Sequence, residues 1–264
     1  MIDYHVHTPL CNHARGTMNA YVQSAVQIGL EEICFLDHLT LQDAGRENSM
    51  TIGEVPLYFQ ETQILKLHYK GRIKVKSGLE IDHAPQYIDI YKEITDTFDF
   101  DIIGASIHFI DGENVVSSSS EWSRGKLDAK LYTERYADRL MEMLDHDYFD
   151  MVCHLDLLKK FSPNPLPMFD ETLEPVLVKI KDKKKVVELN TGGLFQPAKE
   201  IYPSQKLLEQ CAELKIPICT GSDAHAPDQV GRGFDTAASR LKAVGIDKIS
   251  VFNSRRKRAI PIHI

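Results

Sequence analysis

Residues 2–7, Ile-Asp-Tyr-His-Val-His, predict a short β-strand, and the segment after them predicts an amphipathic helix. In that helix Met18, Tyr21 and Ala25 share one face, and Gly29 is a typical stop. The same alternation of strand and helix recurs along the chain. Its predicted strands, rich in valine and isoleucine as in a sheet covered on both faces, span Ile2–His7, Glu32–Asp37, Ile73–Glu80, Asp101–His108, Met151–His154, Lys185–Asn190 and Ile216–Ser222.

Seven β-α units in succession predict either an open doubly wound sheet or a closed barrel. The first strand is not followed by GxGxxG and the chain has no P-loop, which disfavours the nucleotide-binding open sheets. No internal repeat or linker-like segment is visible, so residues 1–264 are predicted to form one domain. In a barrel, the irregular segments Thr40–Gly53, Ile110–Lys126 and Phe161–Met168 would lie over the active site.

Composition narrows the class of protein. Of 264 residues, 43% are hydrophobic and 26% charged, as in a globular enzyme, and the net charge of −7 disfavours nucleic-acid partners. No segment is apolar enough to predict a membrane span. The five cysteines lack CxxC spacing and fit reduced thiols, so we expect a cytoplasmic protein without a signal peptide.

Histidines concentrate at the carboxyl ends of the predicted strands, which hold seven of the eleven: His5, His7, His38, His83, His108, His154 and His225. His5 and His7 are two residues apart on a strand, so their rings share a face. Glu80 and Asp223 also end apolar strands, where a buried carboxylate needs a cation. So many donors exceed one zinc ion, which takes three or four protein ligands. Two or three divalent ions, Zn, Mn or Fe, fit this chemistry.

These motifs together resemble the polymerase and histidinol phosphatase (PHP) superfamily. The residues that carry the resemblance are His5-Val6-His7, His13, Asp37-His38, Gly78-Leu79-Glu80, Ser106-Ile107-His108, Cys153-His154-Leu155-Asp156 and Gly221-Ser222-Asp223-Ala224-His225. The resemblance implies a distorted (β/α)7, TIM-like barrel with three metals. Leu155–Lys160, Glu188–Leu194, Ile201–Ser204 and Val230–Asp235 resemble the histidinol-phosphatase branch, which implies hydrolysis of L-histidinol phosphate to L-histidinol and phosphate in histidine biosynthesis.

The resemblance also implies which residues hold the metals. One metal would bind His5, His7, Glu80 and Asp223, a second Glu80, His108 and His154, and a third His13, His38 and His225. The pair that shares Glu80 is expected to activate a bridging water for in-line attack on phosphorus.

A mechanistic hypothesis for phosphate-ester hydrolysis adds further roles. The predicted catalytic residues are Glu80, Asp223, His225, Asp37 and Asp156, with Asp37, Asp156 and His83 as alternative proton donors to the leaving group. The candidate phosphate-binding residues are Arg15, Lys159, Lys160, Lys199 and Arg232. Family members often carry arginine where this chain has Lys159, Lys160 and Phe195, and lysine lacks the bidentate fork of arginine.

Three alternatives remain open at this stage. A phosphoesterase of the same superfamily could act on another small ester or on nucleotide ends with the same metal site. An amidohydrolase barrel normally uses a different histidine order or a lysine on the fourth strand. A non-catalytic metal-binding module would have the ligands without turnover.

Overall fold

The computed structural model of this protein describes residues 1–162, 166 and 168–262. Within them, seven parallel strands form one sheet, in the order in which they follow along the chain. These strands are β1 (Ile2–Val6), β2 (Glu32–Leu39), β3 (Lys74–Asp82), β4 (Ile102–Ser106), β7 (Met151–Val152), β8 (Val186–Asn190) and β9 (Ile218–Gly221). Two short strands between β4 and β7, β5 (Phe109–Ile110) and β6 (Glu113–Asn114), pair with each other outside this sheet. Nearly all residues of the seven are buried, which explains their continuous apolar runs.

The sheet closes on itself between its first and last strands. The His7 amide donates to the Ala224 carbonyl at 2.9 Å, and the Ala224 amide donates to the His5 carbonyl at 3.3 Å. Thr220 Oγ1 donates to the Ile2 carbonyl at 2.7 Å. These contacts join β1 to β9, so the seven strands make a nearly closed barrel. The TIM-like barrel predicted from the sequence is confirmed.

Seven α-helices of the described residues surround the barrel. They are α1 (Met18–Gln27), α2 (Val55–His68), α3 (Ile88–Thr97), α4 (Ala129–Met143), α5 (Phe169–Asp182), α6 (Gln205–Leu214) and α7 (Phe234–Ala243). In α1 the Thr17 side chain caps the helix by accepting from the Ala20 amide, and Tyr21 and Val22 are buried. The helix ends before Gly29, whose φ of +76° suits glycine.

All seven predicted strands are present, with ends that differ by a few residues. The irregular segments Thr40–Gly53 and Ile110–Lys126 follow β2 and β4, at the carboxyl end of the barrel. The third, Phe161–Met168, includes residues 163–165 and 167, which lie outside the described residues. The five cysteines are free and buried, as expected for reduced thiols. In the described chain no helix has the length and apolar character needed to cross a membrane.

An antiparallel hairpin that the sequence did not predict covers the amino end of the barrel. It consists of β10 (Lys248–Asn253) and β11 (Arg256–Pro261). Its Phe252 amide donates to the Tyr4 hydroxyl of β1 at 3.0 Å, and the Phe252 side chain is buried. The hairpin therefore seals the end of the barrel opposite the histidines.

Arg255 ties this hairpin to the barrel. Its guanidinium donates to both carboxylate oxygens of Asp150, at 2.9 and 3.1 Å, and to the Tyr148 carbonyl at 2.9 Å. We expect Arg255→Ala to lower the free energy of unfolding by about 2 kcal/mol, because the partly buried Asp150 loses a bidentate partner. Urea denaturation measures this loss. Arg256→Ala, at an exposed position beside it, is the control, and equal stability of the two variants would contradict the assignment.

Candidate metal centre

The carboxyl ends of the barrel strands gather the nine predicted ligands into one cluster. Ring centroids lie 4.0 Å apart for His7 and His225, 4.2 Å for His7 and His38, and 4.6 Å for His13 and His225. On the other side the ring centroid of His154 lies 5.6 Å from that of His5 and 5.3 Å from that of His108. Glu80 and Asp223 lie between these rings.

The first predicted ligand group has the dimensions of a tetrahedral site. His7 Nε2 lies 3.0 Å from Asp223 Oδ1 and 3.8 Å from Glu80 Oε2. His5 Nε2 lies 3.3 Å from Glu80 Oε2 and 4.0 Å from Asp223 Oδ1. Ligands about 2.0–2.1 Å from a zinc ion in tetrahedral geometry are about 3.3 Å from one another. These four distances, 3.0–4.0 Å, bracket that value, so the four donors are placed to hold a transition-metal ion.

Glu80 connects two ligand groups through its two oxygens. Oε2 faces His5 and lies 2.8 Å from His38 Nδ1. Oε1 lies 2.7 Å from His154 Nε2 and 3.5 Å from His108 Nε2. Burial acts to raise the pKa of Glu80, but the surrounding imidazoles hold that pKa well below its usual value. An ionised carboxylate that faces two groups of nitrogen donors is suited to bridge two cations.

The third group is the most open. The centroids of His13 and His38 are 5.3 Å apart, and those of His38 and His225 are 6.0 Å apart. His13 is exposed, whereas the other two are partly buried. Desolvation of the ring where it meets the cluster, together with the neighbouring His38, lowers the pKa of His13 to about 4, and the neutral imidazole that this favours is the form that binds a metal.

Outer partners fix which ring nitrogen faces the cluster. His5 Nδ1 lies 2.6 Å from Glu188 Oε1, and His7 Nδ1 lies 3.2 Å from Asp37 Oδ1. The Nδ1 atoms of His13 and His225 lie 2.7 and 3.0 Å from backbone carbonyls. Because each Nδ1–H has an acceptor, each Nε2 is left as a metal ligand, an arrangement common around zinc.

The local backbone aims these side chains inward. His154 and Asp223, each two residues after the end of its strand, both have positive φ, +26° and +54°. Such strained conformations in non-glycine residues concentrate at functional sites. Gly221, two residues before Asp223, is required because a Cβ there would overlap Glu188 Oε1 and the His5 Cβ.

A cavity of about 300 Å³ opens above the cluster and is lined by ligands from all three groups. The irregular segments after β2 and β4 form part of its wall, through Glu47 and Asn114 among others. Lys160 lines it too, and burial lowers the pKa of its ammonium group, against the effect of the carboxylates Asp223 and Glu80.

Of the candidate phosphate-binding residues, Lys160 and Arg232 lie near the cluster. Arg232 Nη2 is 3.5 Å from the Asp223 carbonyl, its guanidinium stacks on the Phe195 ring at 4.6 Å, and its buried Nε has no hydrogen-bond partner in the described structure. Burial lowers the pKa of Arg232. A partly buried guanidinium with an unpaired nitrogen, beside a metal ligand, is suited to an anion.

Neither Arg232 nor the other three candidate cations line this cavity. Arg15 is exposed and lies 3.8 Å from Asp228, although its amide donates to the His225 carbonyl. Lys199 is exposed, on a turn after β8. Lys159 binds the carboxylates of Asp156 and Glu200 at 2.6 and 2.8 Å, and lines a separate cavity.

The predicted proton donors also occupy outer positions. Asp37 holds His7 and accepts from the Thr8 hydroxyl. The Asp156 carboxylate is buried against Lys159. His83 Nδ1 lies 3.0 Å from the Tyr148 hydroxyl, and burial lowers the pKa of His83 to about 4. The placement suits these three groups to support neighbouring side chains.

Sequence reasoning assigned no role to Glu188, which supports two ligands at once. Its Oε1 faces His5, and its Oε2 accepts from the His154 amide at 2.8 Å and from Asn190 Nδ2 at 3.1 Å. The available signal was the one that identified Glu80, a carboxylate within an apolar strand.

A closed barrel with an imidazole- and carboxylate-lined cation site at the carboxyl ends of its strands is the architecture of a metal-dependent hydrolase. Residues 3–192 match the model of the PHP domain, and residues 205–238 match the model described as PHP-associated. The chain belongs to the PHP family.

Named relatives align over nearly the whole chain. It is 34% identical over 255 residues to a Deinococcus radiodurans protein named "Probable histidinol-phosphatase", covering 93% of this chain and 94% of that one. It is 26% identical to the Bacillus subtilis histidinol-phosphatase, covering 90% and 98%. A crystal structure of histidinol phosphate phosphatase from Lactococcus lactis, complexed with zinc, L-histidinol and phosphate, superimposes with a TM-score of 0.86 at 24% identity, covering 97% and 98% of the two chains, and supports the fold.

Proposed function

We propose that this protein is a metal-dependent phosphomonoesterase that hydrolyses L-histidinol phosphate to L-histidinol and phosphate. The observation that carries the proposal is Glu80, which faces imidazole donors with both oxygens at the base of an open cavity. The names of the relatives support the choice of substrate. The cavity of about 300 Å³ suits a small ester better than a polymer.

The ligand set we propose is the one implied by the family resemblance, with Glu80 shared between two sites. Divalent transition ions held there would supply Lewis-acid charge and an activated water nucleophile near neutral pH. The protein residues position the reactants. Glu188 and Asp37 hold the His5 and His7 rings so that each Nε2 faces the cluster. Lys160 and Arg232 supply positive charge for the phosphoryl oxygens. This charge lowers the electrostatic free energy of placing the phosphate of the substrate beside the carboxylates of Glu80 and Asp223.

We further propose that residues 1–264 act as one domain, since β1 and β9 belong to one barrel although they lie in the segments matched by two different family models. Free buried thiols fit a reducing compartment, so the proposed location is the cytoplasm. The proposed partner is a small phosphate ester.

The proposal is tested by phosphate release. Protein loaded separately with Zn²⁺, Mn²⁺ or Fe²⁺ is assayed with L-histidinol phosphate, an aryl phosphate and a 5′-phosphorylated oligonucleotide. We expect L-histidinol phosphate to give the highest kcat/KM, and a chelator to abolish turnover. Preference for the oligonucleotide, or full turnover after chelation, would overturn the proposal.

Two lysines provide a matched test of phosphate binding. Lys160→Ala is expected to raise KM for L-histidinol phosphate by about tenfold, because it removes a charge that lines the cavity. Lys199→Ala removes an exposed lysine that does not line it, and should leave KM unchanged. Steady-state kinetics measure both. Equal effects of the two substitutions would exclude a specific role for Lys160.

A further inference from the structure

The cavity above the metal cluster contains a carboxylate that the mechanism does not use. Glu47 lies in the irregular segment after β2. It and Asp223 are the two acidic residues of the described chain that line this cavity. Its side chain is exposed and makes no ion pair or hydrogen bond within the described residues. The neighbouring guanidinium of Arg46 lies 3.3 Å from Asp43, so the nearby cation is already paired. Glu47 therefore presents an uncompensated negative charge to the cavity.

The segment that carries Glu47 is fixed to the metal centre at its base. Ser49 Oγ accepts from the Thr40 amide at 2.8 Å and donates to the carbonyl of the metal-ligand residue His38 at 3.0 Å. Within the turn, Gly45 packs so closely that a Cβ would overlap the Thr40 side chain and the Phe109 ring. A segment held at this many points places a side chain at low entropic cost.

Opposite charges therefore line one small cavity. Lys160 and Asp223 line this cavity together with Glu47, and Glu47 makes no ion pair or hydrogen bond with any of the nine ligands in the described structure. A phosphate monoester that carries a cation of its own would satisfy both sets of groups. An ester without a cation would place its anion in a cavity with an unpaired carboxylate.

We propose that Glu47 binds the ammonium group of the substrate and makes this cavity selective for amine-bearing phosphate monoesters. The inference rests on the proposed function, because L-histidinol phosphate carries an ammonium group on the carbon next to the one that bears the phosphate. Glu47 is on this view a specificity residue, separate from the groups that hold the metals.

Binding of the product tests this without turnover. Calorimetry on the metal-loaded protein measures Kd for L-histidinol and for its amine-free analogue 3-(imidazol-4-yl)propan-1-ol. Glu47→Gln is expected to raise Kd for L-histidinol by about tenfold and leave Kd for the analogue unchanged. Glu61→Gln, the same substitution on the exposed surface of α2 and outside the cavity lining, is the control and should change neither.

Kinetics separate this inference from the proposed function. KM for L-histidinol phosphate should rise in the E47Q protein, and KM for an aryl phosphate should not. If E47Q binds L-histidinol as the wild type does, or weakens both ligands equally, the role of Glu47 is wrong. If the wild type binds L-histidinol through Glu47 but does not hydrolyse its phosphate, only the proposed function fails.

Discussion

Replacement of Glu80 by glutamine is expected to reduce kcat by about a thousandfold or more and to lower the metal content of the purified protein. Glu80 faces five imidazoles with two oxygens, and no other carboxylate in the described residues is shared in this way. A glutamine side chain is nearly isosteric but neutral, and one of its two terminal atoms is an NH₂ group that cannot bind a cation. One of the two sites that share Glu80 therefore loses a ligand whichever way the amide is oriented.

Elemental analysis together with phosphate-release kinetics measures both effects. Glu209→Gln, the same substitution on the exposed surface of α6, is the control and should match the wild type. Excess metal in the assay should not restore the E80Q protein, since the bridging oxygen itself is missing. Near-native turnover of E80Q would exclude the bridging role of this carboxylate.

The seven strands could be predicted because they are buried on both faces, whereas the choice of a closed barrel over an open sheet came from the family resemblance. Such strands appear as short apolar runs, and the seven runs agree with the seven strands of the sheet. The hairpin of β10 and β11 could not be predicted in this way. β11 is largely exposed and charged, and its register depends on contacts such as that of Arg255 with Asp150, which are distant in sequence.

The metal ligands were accessible to sequence reasoning for a related reason. A carboxylate or imidazole that ends an apolar strand is costly to bury, so Glu80 and Asp223 were conspicuous by their positions. Side chains on irregular segments gave no such signal. His13 and Arg15 lie in the same loop, yet the ring of His13 joins the cluster and the guanidinium of Arg15 faces solvent near Asp228.

Two adjacent lysines also show that the sequence does not reveal the direction in which a side chain points. Lys159 and Lys160 are neighbours on the short 3₁₀ helix Leu157–Phe161, and their side chains diverge. Lys159 is neutralised by Asp156 and Glu200, whereas Lys160 lines the metal cavity. Composition cannot distinguish them, because the direction of each side chain is set by partners that the fold brings from elsewhere.

Glutamine at position 188 is expected to weaken metal binding by about 10- to 100-fold, although Glu188 is not itself among the proposed ligands. Glu188 Oε1 accepts from His5, and Oε2 accepts from both the His154 amide and Asn190 Nδ2. In Glu188→Gln, an NH₂ group on the Oε2 side would face two donors. The amide is therefore expected to turn its NH₂ toward His5 Nδ1, which must then become an acceptor.

That change would move the His5 proton to Nε2, the atom that faces Glu80 and Asp223, and would remove His5 as a ligand. Because Glu188→Gln leaves every proposed ligand atom in place, excess metal should shift the tautomer back and restore part of the activity of E188Q, in contrast to E80Q. Metal titration followed by activity, with E209Q as the matched control, distinguishes the two. If the E188Q protein binds metal as tightly as the wild type, Glu188 does not set the His5 tautomer. If added metal restores no activity to E188Q, Glu188 acts through more than the position of the His5 proton.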